Sequence, residues 1–325
     1  MTDAIPHGGR LAQAQAEHPS APRPWLDLST GINPEGWRRG RPSLGELTRL
    51  PDPADTAALE AVASRAFGVP PDWVVAVAGA ESGLRLLPDL LQLDRVAIAS
   101  PTYGSHADAW RRAGVEVVEV PRGRLFQTVA EGFVVVNPNN PDGSSIAGRA
   151  LVEAAGGRWL ILDESFVEVM PDLSAAALAT GRTIVLRSFG KFFGLAGVRL
   201  GFIVCDPELA ECVRRRIGDW PVSTDAVSMG RAAYADAAWA ERTRASLNRG
   251  AARLDRMLLA AGLQTIGGTS LFRLARCEDA SDRAHRLAGQ GVLVRTFPHD
   301  PTLIRFGLPG RRNWRRLELA LETSR

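Results

Sequence analysis

The segment RSFGKFFGLAGVRLGF, residues 187–202, contains Lys191, which is the only lysine in the 325-residue chain. Every other residue among the 39 lysines and arginines is an arginine. Arginine replaces lysine well where a position needs only positive charge, but a guanidinium stays protonated and cannot act as an amine nucleophile. A lysine whose pKa is lowered by burial can attack a carbonyl and form a Schiff base. The retained lysine therefore indicates covalent chemistry at Lys191.

The neighbours of Lys191 predict what it binds. Ser188 lies three residues before it and Arg199 eight residues after it. Arginine grips a phosphate through two parallel hydrogen bonds, and serine adds a directional one. Glycines in the same segment let the backbone turn tightly beside a ligand. A Schiff-base lysine next to a phosphate site predicts pyridoxal 5'-phosphate as the cofactor.

Apolar runs alternate with segments of helical spacing over the first two thirds of the chain. These runs occupy residues 73–78, 95–99, 115–120, 133–137, 158–163, 183–187 and 199–204. Near-continuous apolar strands between helices are typical of an α/β fold with a mostly parallel sheet. After about residue 207, one long helical stretch (about residues 225–261) and three further strand patterns predict a smaller α+β domain. We therefore predict an N-terminal arm at residues 1–34 that joins the small domain, a large cofactor-binding domain at 35–206, and a linking helix plus small domain at 207–325.

Composition excludes several other classes of protein. The net charge of +3 comes from arginines interleaved with acidic residues, so no basic surface for nucleic acid is expected. No apolar run is long enough for a membrane-spanning helix, and the N-terminus lacks the pattern of a signal peptide. The three cysteines show neither metal-ligand nor disulfide spacing. We expect a cytoplasmic enzyme with no metal and no membrane or nucleic-acid partner.

Two polar residues follow predicted strands, where α/β folds bind ligands. Asp163 ends the run WLILD, and in a pyridoxal-phosphate site a carboxylate can pair with the ring nitrogen. Taken alone, Asp163 fits a helix cap or a surface position equally well. Asn140 lies in NPNNPDG, residues 137–143, which is a strong turn former in its own right. The functional alternative gives the Asn140 amide a hydrogen bond to the phenolic oxygen of the cofactor.

Two further segments also follow predicted strands. Gly79, Ala80 and Glu81 close a strand and open a helix, where free N–H groups favour a phosphate, although this signal is weak alone. Tyr103, one of two tyrosines, could stack on the cofactor ring.

Together, these motifs resemble the fold-type-I pyridoxal-phosphate enzymes of the class I/II aminotransferase superfamily over nearly the whole chain. The resemblance implies an aspartate aminotransferase-like fold and a homodimer with active sites at the subunit interface. It implies that Lys191 forms the Schiff base, Asp163 binds the ring nitrogen, Asn140 binds the ring oxygen and Tyr103 stacks on the ring. The residues that would hold the phosphate are Gly79, Ala80, Glu81, Ser188 and Arg199.

Within this superfamily the N-terminal segment is similar to the decarboxylases that act on L-threonine O-3-phosphate in cobalamin biosynthesis. The similarity rests on HGG at residues 7–9 and STGINP at residues 29–34. It implies a lyase that yields (R)-1-amino-2-propanol O-2-phosphate. The substrate residues it implies are His7, Gly8, Gly9, Ile32, Asn33, Asn140, Arg295 and Arg305. An aminotransferase of the histidinol-phosphate type remains an alternative, as does a non-catalytic protein with this fold.

Arg295 and Arg305 lie on predicted strands of the small domain. The resemblance assigns Arg305 to the substrate carboxylate and Arg295 to the substrate phosphate, and two bidentate arginines suit a substrate with two anionic groups. A surface position on a strand edge is the alternative for either arginine.

Two positions depart from the family pattern. Phe166 stands where many relatives carry a tyrosine whose hydroxyl reaches the ring oxygen, so the pKa of the Schiff base is expected to be higher here. Leu50 stands where relatives often give a tyrosine to the partner subunit's phosphate site. Together the two replacements are expected to weaken cofactor retention.

Overall fold

The computed structural model describes residues 8–324, and the chain divides into two compact units. The larger unit contains Trp37–Asn140 and Ser144–Trp239. Among the described residues, the smaller unit contains residues 8–36, the short segment Pro141–Gly143 and residues 240–324. His7 lies outside the described residues. No helix within residues 8–324 has the length and apolar character needed to cross a bilayer.

The α-helices within the described residues, in chain order, are α1 (Leu11–Glu17), α2 (Leu44–Leu47), α3 (Pro53–Phe67), α4 (Ala80–Leu91), α5 (Ser105–Arg112), α6 (Gly148–Ala155), α7 (Phe189–Phe192), α8 (Pro207–Ile217), α9 (Thr224–Ala235), α10 (Ala237–Ala260), α11 (Ala280–Gly289) and α12 (Trp314–Thr323). The strands are β1 (Leu26–Asp27), β2 (Val74–Val77), β3 (Arg95–Ala99), β4 (Glu116–Val120), β5 (Gly132–Val136), β6 (Trp159–Asp163), β7 (Thr183–Ser188), β8 (Gly201–Val204), β9 (Gln264–Thr269), β10 (Phe272–Arg276), β11 (Val292–Leu293), β12 (Arg295–Thr296) and β13 (Leu303–Gly307).

The larger unit is built on a seven-stranded sheet with the order β2-β8-β7-β6-β5-β3-β4. β8 runs antiparallel to both of its neighbours, and all other pairs are parallel. All five residues of β5 are buried, as are the four residues of β2 and of β8, because helices cover a parallel sheet on both faces. The predicted mixed, mostly parallel sheet of an aspartate aminotransferase-like fold is confirmed.

The parallel register places the predicted site residues along one edge of this sheet. β5, β6 and β7 are neighbours, and they end at Val136, Asp163 and Ser188. The carboxyl ends of parallel strands are where open α/β sheets bind ligands. The fold therefore brings to one place side chains that are far apart in sequence.

The smaller unit contains a four-stranded antiparallel sheet with the order β12-β13-β10-β9. A separate parallel pair joins β1 to β11. Three of the sheet's strands fall within the predicted runs, whereas β9 was not predicted. Its sequence, QTIGGT, carries a glycine pair, and glycine is depleted in strands and typical of turns.

The unit boundary differs from the predicted domain boundary at residues 206/207. α8 and α9 belong to the larger unit, where α8 packs against β2 and α9 packs against α3. The helical stretch predicted over residues 225–261 consists of two helices that meet at Asp236. A carboxylate oxygen of Asp236 accepts a hydrogen bond from the Trp239 N–H at 3.0 Å, which caps the start of α10.

Candidate active site

All nine residues predicted to bind the cofactor line one cavity of about 150 Å³ in the larger unit. They are Gly79, Ala80, Glu81, Tyr103, Asn140, Asp163, Ser188, Lys191 and Arg199. The remaining lining residues are Leu84, Val136, Ser165, Phe166, Gly190 and Leu200.

Lys191 lies on the short helix α7, which directly follows β7. Its Nζ is 5.9 Å from the centre of the Phe166 ring, and Phe166 is buried. A Cβ at the neighbouring Gly190 would lie 2.8 Å from the Cα of Ala196, so glycine is needed where the chain folds back. The amine is thus held on a tight turn at the sheet edge, beside an apolar ring.

Two anion-binding elements converge at one end of the cavity. The first is the N-terminus of α4, which begins after Gly79 at φ 88°. The second is the Arg199 guanidinium, because a Cβ at Gly79 would lie only 2.7 Å from its Nη2. Arg199 itself has φ 56°, a left-handed conformation that is costly for a residue with a side chain. A helix N-terminus facing a guanidinium fits a phosphate group.

Asp163 is buried beside a histidine that the sequence did not single out. His106 Nε2 lies 2.9 Å from one carboxylate oxygen of Asp163, and the Ser165 N–H donates to the other at 2.9 Å. Burial by itself would raise the pKa of Asp163, but the hydrogen bond and charge of His106, with the bonds from Ser165, outweigh it and lower the pKa. An ionised carboxylate at this place is suited to a protonated ring nitrogen.

Tyr103 is held by a carboxylate on α4. Its hydroxyl donates to a Glu81 oxygen at 3.1 Å, and the other Glu81 oxygen accepts from Arg85 Nε at 2.7 Å. Burial, with the nearby charge of Glu81, raises the pKa of Tyr103 to about 12. The phenol therefore stays protonated near neutral pH and acts as a donor.

The turn that carries Asn140 is closed at its base. The Asn137 amide exchanges two hydrogen bonds with the backbone of Ile146, at 2.8 and 2.9 Å, and the Asn139 N–H donates to the Ser144 carbonyl at 2.8 Å. These bonds fix residues on both sides of Asn140, which lines the cavity.

In the smaller unit, Arg295 and Arg305 lie directly opposite each other on β12 and β13. Arg305 is buried, its Nη2 donates to the Ser29 carbonyl at 2.8 Å, and its guanidinium lies 5.0 Å from the Phe272 ring centre. Burial, followed by the charge of Arg295, lowers the pKa of Arg305 to about 9. Like charges directly opposite each other on adjacent strands are unfavourable, so this arrangement suits an anion.

Four more predicted substrate residues lie in the same unit. The Gly9 N–H donates to the Ser29 hydroxyl at 2.8 Å, and a Cβ at Gly8 would lie 2.4 Å from the Ser29 carbonyl oxygen. The buried Asn33 accepts a hydrogen bond from the Glu35 N–H at 2.9 Å, so its side chain caps a local turn. Ile32, the fourth, is half-buried.

Sequence reasoning missed His106 and Ser165. The only signal for His106 was its place three residues after Tyr103, on the helix that follows the same strand. Its pairing with Asp163 spans 57 positions in sequence, and no local pattern predicts such a contact.

A half-buried lysine, an ionised carboxylate and a helix N-terminus beside the Arg199 guanidinium surround one cavity at this edge of the sheet, and this set of groups is that of a pyridoxal-phosphate enzyme. These residues fit the phosphate of the cofactor because Gly79 lets the Arg199 guanidinium approach the N-terminus of α4. Gly201 leaves room for the same backbone, since a Cβ at Gly201 would lie 2.4 Å from the Ala80 nitrogen.

Residues 25–320 match the family described as aminotransferase class I and II. A threonine-phosphate decarboxylase of Pseudomonas aeruginosa is 37% identical over 98% of this chain and 97% of its own length. One of a Sinorhizobium species is 38% identical over 99% and 98%. A histidinol-phosphate aminotransferase of Cupriavidus pinatubonensis is 28% identical over 86% and 78%. The structure of histidinol-phosphate aminotransferase from Sinorhizobium meliloti with pyridoxal-5'-phosphate superimposes with a TM-score of 0.85, at 20% identity, over 100% of this chain and 99% of that one.

The chain belongs to the aminotransferase class I and II family, and its cofactor is pyridoxal phosphate.

Proposed function

We propose that this enzyme decarboxylates L-threonine O-3-phosphate to (R)-1-amino-2-propanol O-2-phosphate. The observation that carries the proposal is the near full-length similarity to two threonine-phosphate decarboxylases, at 37% and 38% identity. The aminotransferase relative is less similar, at 28%. The paired arginines of the smaller unit agree with a substrate that carries both a carboxylate and a phosphate.

The residues of the larger unit would bind and orient the cofactor. Bound pyridoxal phosphate supplies an aldehyde for an amine and an electron sink for the carbanion left when a bond to Cα breaks. Lys191 Nζ is the amine that would hold the cofactor and give way to the substrate amine. Asp163, kept ionised by His106, would hold a proton on the ring nitrogen. The N-terminus of α4, with Ser188 and Arg199, would hold the phosphate.

The residues of the smaller unit would bind the substrate's anionic groups. Arg305 would take the carboxylate and Arg295 the phosphate. Both guanidiniums can donate two hydrogen bonds in one plane, which fixes the orientation of the group as well as its position. Orientation matters here because only a bond perpendicular to the cofactor ring is broken.

One assay tests the activity. The purified holoenzyme is incubated with threonine phosphate while carbon dioxide is measured. In parallel it is incubated with histidinol phosphate and 2-oxoglutarate while glutamate is measured. We expect carbon dioxide and no glutamate. Glutamate without carbon dioxide would assign the chain to the aminotransferases. If neither carbon dioxide nor glutamate is formed, the result would favour a non-catalytic protein.

We also propose that the enzyme is a homodimer, in the cytoplasm. The resemblance implies the dimer, and an apolar segment of the larger unit supports it: the side chains of Leu44, Leu47 and Leu50 are 83%, 41% and 66% exposed. The three cysteines are free thiols, as is usual in a reducing compartment.

Light scattering tests the dimer on the double variant Leu44→Asp/Leu50→Asp. We expect the variant to be monomeric and to lose cofactor on gel filtration. The matched control is Val129→Asp, which alters another strongly exposed apolar residue (79%) and should leave the dimer intact. A variant that remains dimeric would remove this segment from the interface.

A further inference from the structure

The turn next to Asn140 belongs to the other unit. The chain leaves the larger unit after Asn140, contributes Pro141–Gly143 to the smaller unit, and returns at Ser144. A three-residue excursion from one unit into another requires specific contacts, because so short a segment buries little surface of its own.

Those contacts are made with β9, the outermost strand of the four-stranded sheet. The Gly268 N–H donates to the Asp142 carbonyl at 2.7 Å. An edge strand presents such N–H groups to whatever lies beside it, and here the partner is the turn. We call this contact of Gly267 and Gly268 with Pro141–Gly143 the edge clasp.

The clasp is a backbone-to-backbone contact that only glycine permits. A Cβ at Gly267 would lie 2.2 Å from the Asp142 carbonyl oxygen, and a Cβ at Gly143 would lie 2.2 Å from the Gly268 carbonyl oxygen. Neither obstacle is a flexible side chain, so neither could swing aside. Glycine in a strand interior normally weakens the strand, and close approach to the turn accounts for its presence in β9.

Asn140 is thereby held from both directions. Toward the N-terminus, the Asn139 N–H is bound to the Ser144 carbonyl. Toward the C-terminus, the next residue but one, Asp142, is bound by the clasp. A side chain on a turn has no sheet or helix of its own to orient it, and a catalytic hydrogen bond needs placement within about 0.5 Å.

We propose that Gly267 and Gly268 are positioning residues for Asn140, acting through the carbonyl of Asp142. The inference rests on the proposed role of Asn140 as a donor to the ring oxygen of the cofactor. The clasp fixes the backbone two residues after Asn140, and through it the direction in which the Asn140 side chain leaves the turn.

The test measures the pKa of the Schiff base in the holoenzyme, from the change of its visible absorbance with pH. Asn140→Ala removes a donor to the ring oxygen, so it should raise this pKa by about one unit. Gly267→Ala should also raise the pKa of the Schiff base, by at least half as much as Asn140→Ala does. Because both changes act on the same hydrogen bond, the pKa of the Schiff base in the double variant should equal that in Asn140→Ala within the error of the measurement.

Two further variants serve as a second test and as a control. Gly143→Ala places a methyl group against β9 from the turn side of the edge clasp and should reproduce the pKa shift. The conclusion therefore does not depend on whether β9 tolerates alanine. Gly289→Ala is the matched control, because this glycine lies on α11 of the same unit and a Cβ there meets nothing within 4 Å. Circular dichroism verifies that each variant keeps its fold.

The inference is overturned if Gly267→Ala and Gly143→Ala both fold and both keep the wild-type pKa of the Schiff base. It is also overturned if the control Gly289→Ala shifts this pKa by as much as they do. An unchanged pKa in Asn140→Ala also overturns it, because the positioned side chain would then lack its assigned role. None of these outcomes touches the release of carbon dioxide from threonine phosphate, so failure of the inference and failure of the proposed function are distinguishable.

Discussion

In the larger unit, the buried carboxylate of Asp163 lies 2.9 Å from His106; burial opposes ionisation, but the hydrogen bond to His106 and those from Ser165 outweigh it and lower the pKa of Asp163. In the smaller unit, the buried guanidinium of Arg305 faces a second arginine across the sheet, and like charge helps to lower its pKa. The first arrangement is electrostatically satisfied by the chain itself. In the second, a bound anion would offset both the burial of Arg305 and its repulsion with Arg295.

The comparison indicates that the two regions are suited to bind different kinds of ligand. The cofactor cavity is preorganised, since Asp163, Tyr103 and Glu81 each have partners within the larger unit. In the arginine pair, the charge of Arg295 disfavours the charged form of Arg305, and a bound anion would offset this repulsion. Preorganisation suits a group that stays bound through many turnovers, whereas relief of repulsion favours a ligand that binds and leaves.

The largest effect is expected from Lys191→Arg, which keeps the positive charge but removes the amine. Carbon dioxide release should fall by at least about 1,000-fold, and the visible absorbance band should disappear. Since the wild type has one lysine, borohydride reduction of the holoenzyme should fix one cofactor per chain by intact mass, and none in the variant. A fixed cofactor in Lys191→Arg would show that another amine, such as the N-terminus, is responsible.

Arg305→Gln should come next, because it removes a buried, charge-assisted contact to the substrate. Losses of this kind are about 2–5 kcal/mol, so kcat/KM should fall about 30- to 4,000-fold, while the visible band of the holoenzyme stays unchanged. Arg276→Gln is the matched control: Arg276 lies in the same sheet but pairs with Asp300 at 3.5 Å and is half exposed. A visible band lost in Arg305→Gln would show that the two regions are not separable.

Phe166→Tyr tests the departure from the family pattern inside the cavity. A hydroxyl at this position should donate to the ring oxygen and stabilise its anionic form, so the pKa of the Schiff base should fall by about one unit. Titration of the visible absorbance against pH measures the shift directly. If the pKa stays at the wild-type value, the added hydroxyl does not reach the oxygen, and Phe166 is a packing residue only.

The smallest effect is expected from the hydrogen bond between Tyr103 and Glu81. Tyr103→Phe and Glu81→Gln should each weaken cofactor affinity by only a few fold, since one hydrogen bond contributes about 0.5–1.5 kcal/mol. Fluorescence titration of the apoenzyme with pyridoxal phosphate measures the affinity. The double variant should lose less than the sum of the two single variants, and full additivity would mean that Glu81 does not orient the ring.

The cofactor residues could be predicted from sequence because most of them lie at or just after the end of a strand that is itself visible as an apolar run. Asp163 is the last residue of the buried strand β6, and Lys191 lies on the short helix that follows β7, so recognising the strands placed both residues at the same edge of the sheet. The lone lysine strengthened the prediction, since an arginine-rich chain retains lysine only where an amine is needed.

Other features were not predictable because they depend on contacts between distant segments. His106 pairs with a residue 57 positions away, and its own neighbourhood gives no sign of it. The strand β9 was missed because its glycines, read locally, indicate a turn. The sequence placed a domain boundary near residue 207, whereas α8 and α9 pack into the larger unit, because helical periodicity does not reveal which surface a helix covers.

By itself the sequence determined the fold class and the cofactor and predicted the residue that would bind it, because strand periodicity and the chemistry of lysine are local properties. The tertiary structure alone decided the register that aligns Arg295, Arg305, Leu274 and Gly267 in one row across four strands. That row places the two arginines proposed to bind the substrate and the glycine that contacts Asp142 in a single sheet. Register depends on the pairing of strands far apart in the chain, and no property of a single segment specifies it.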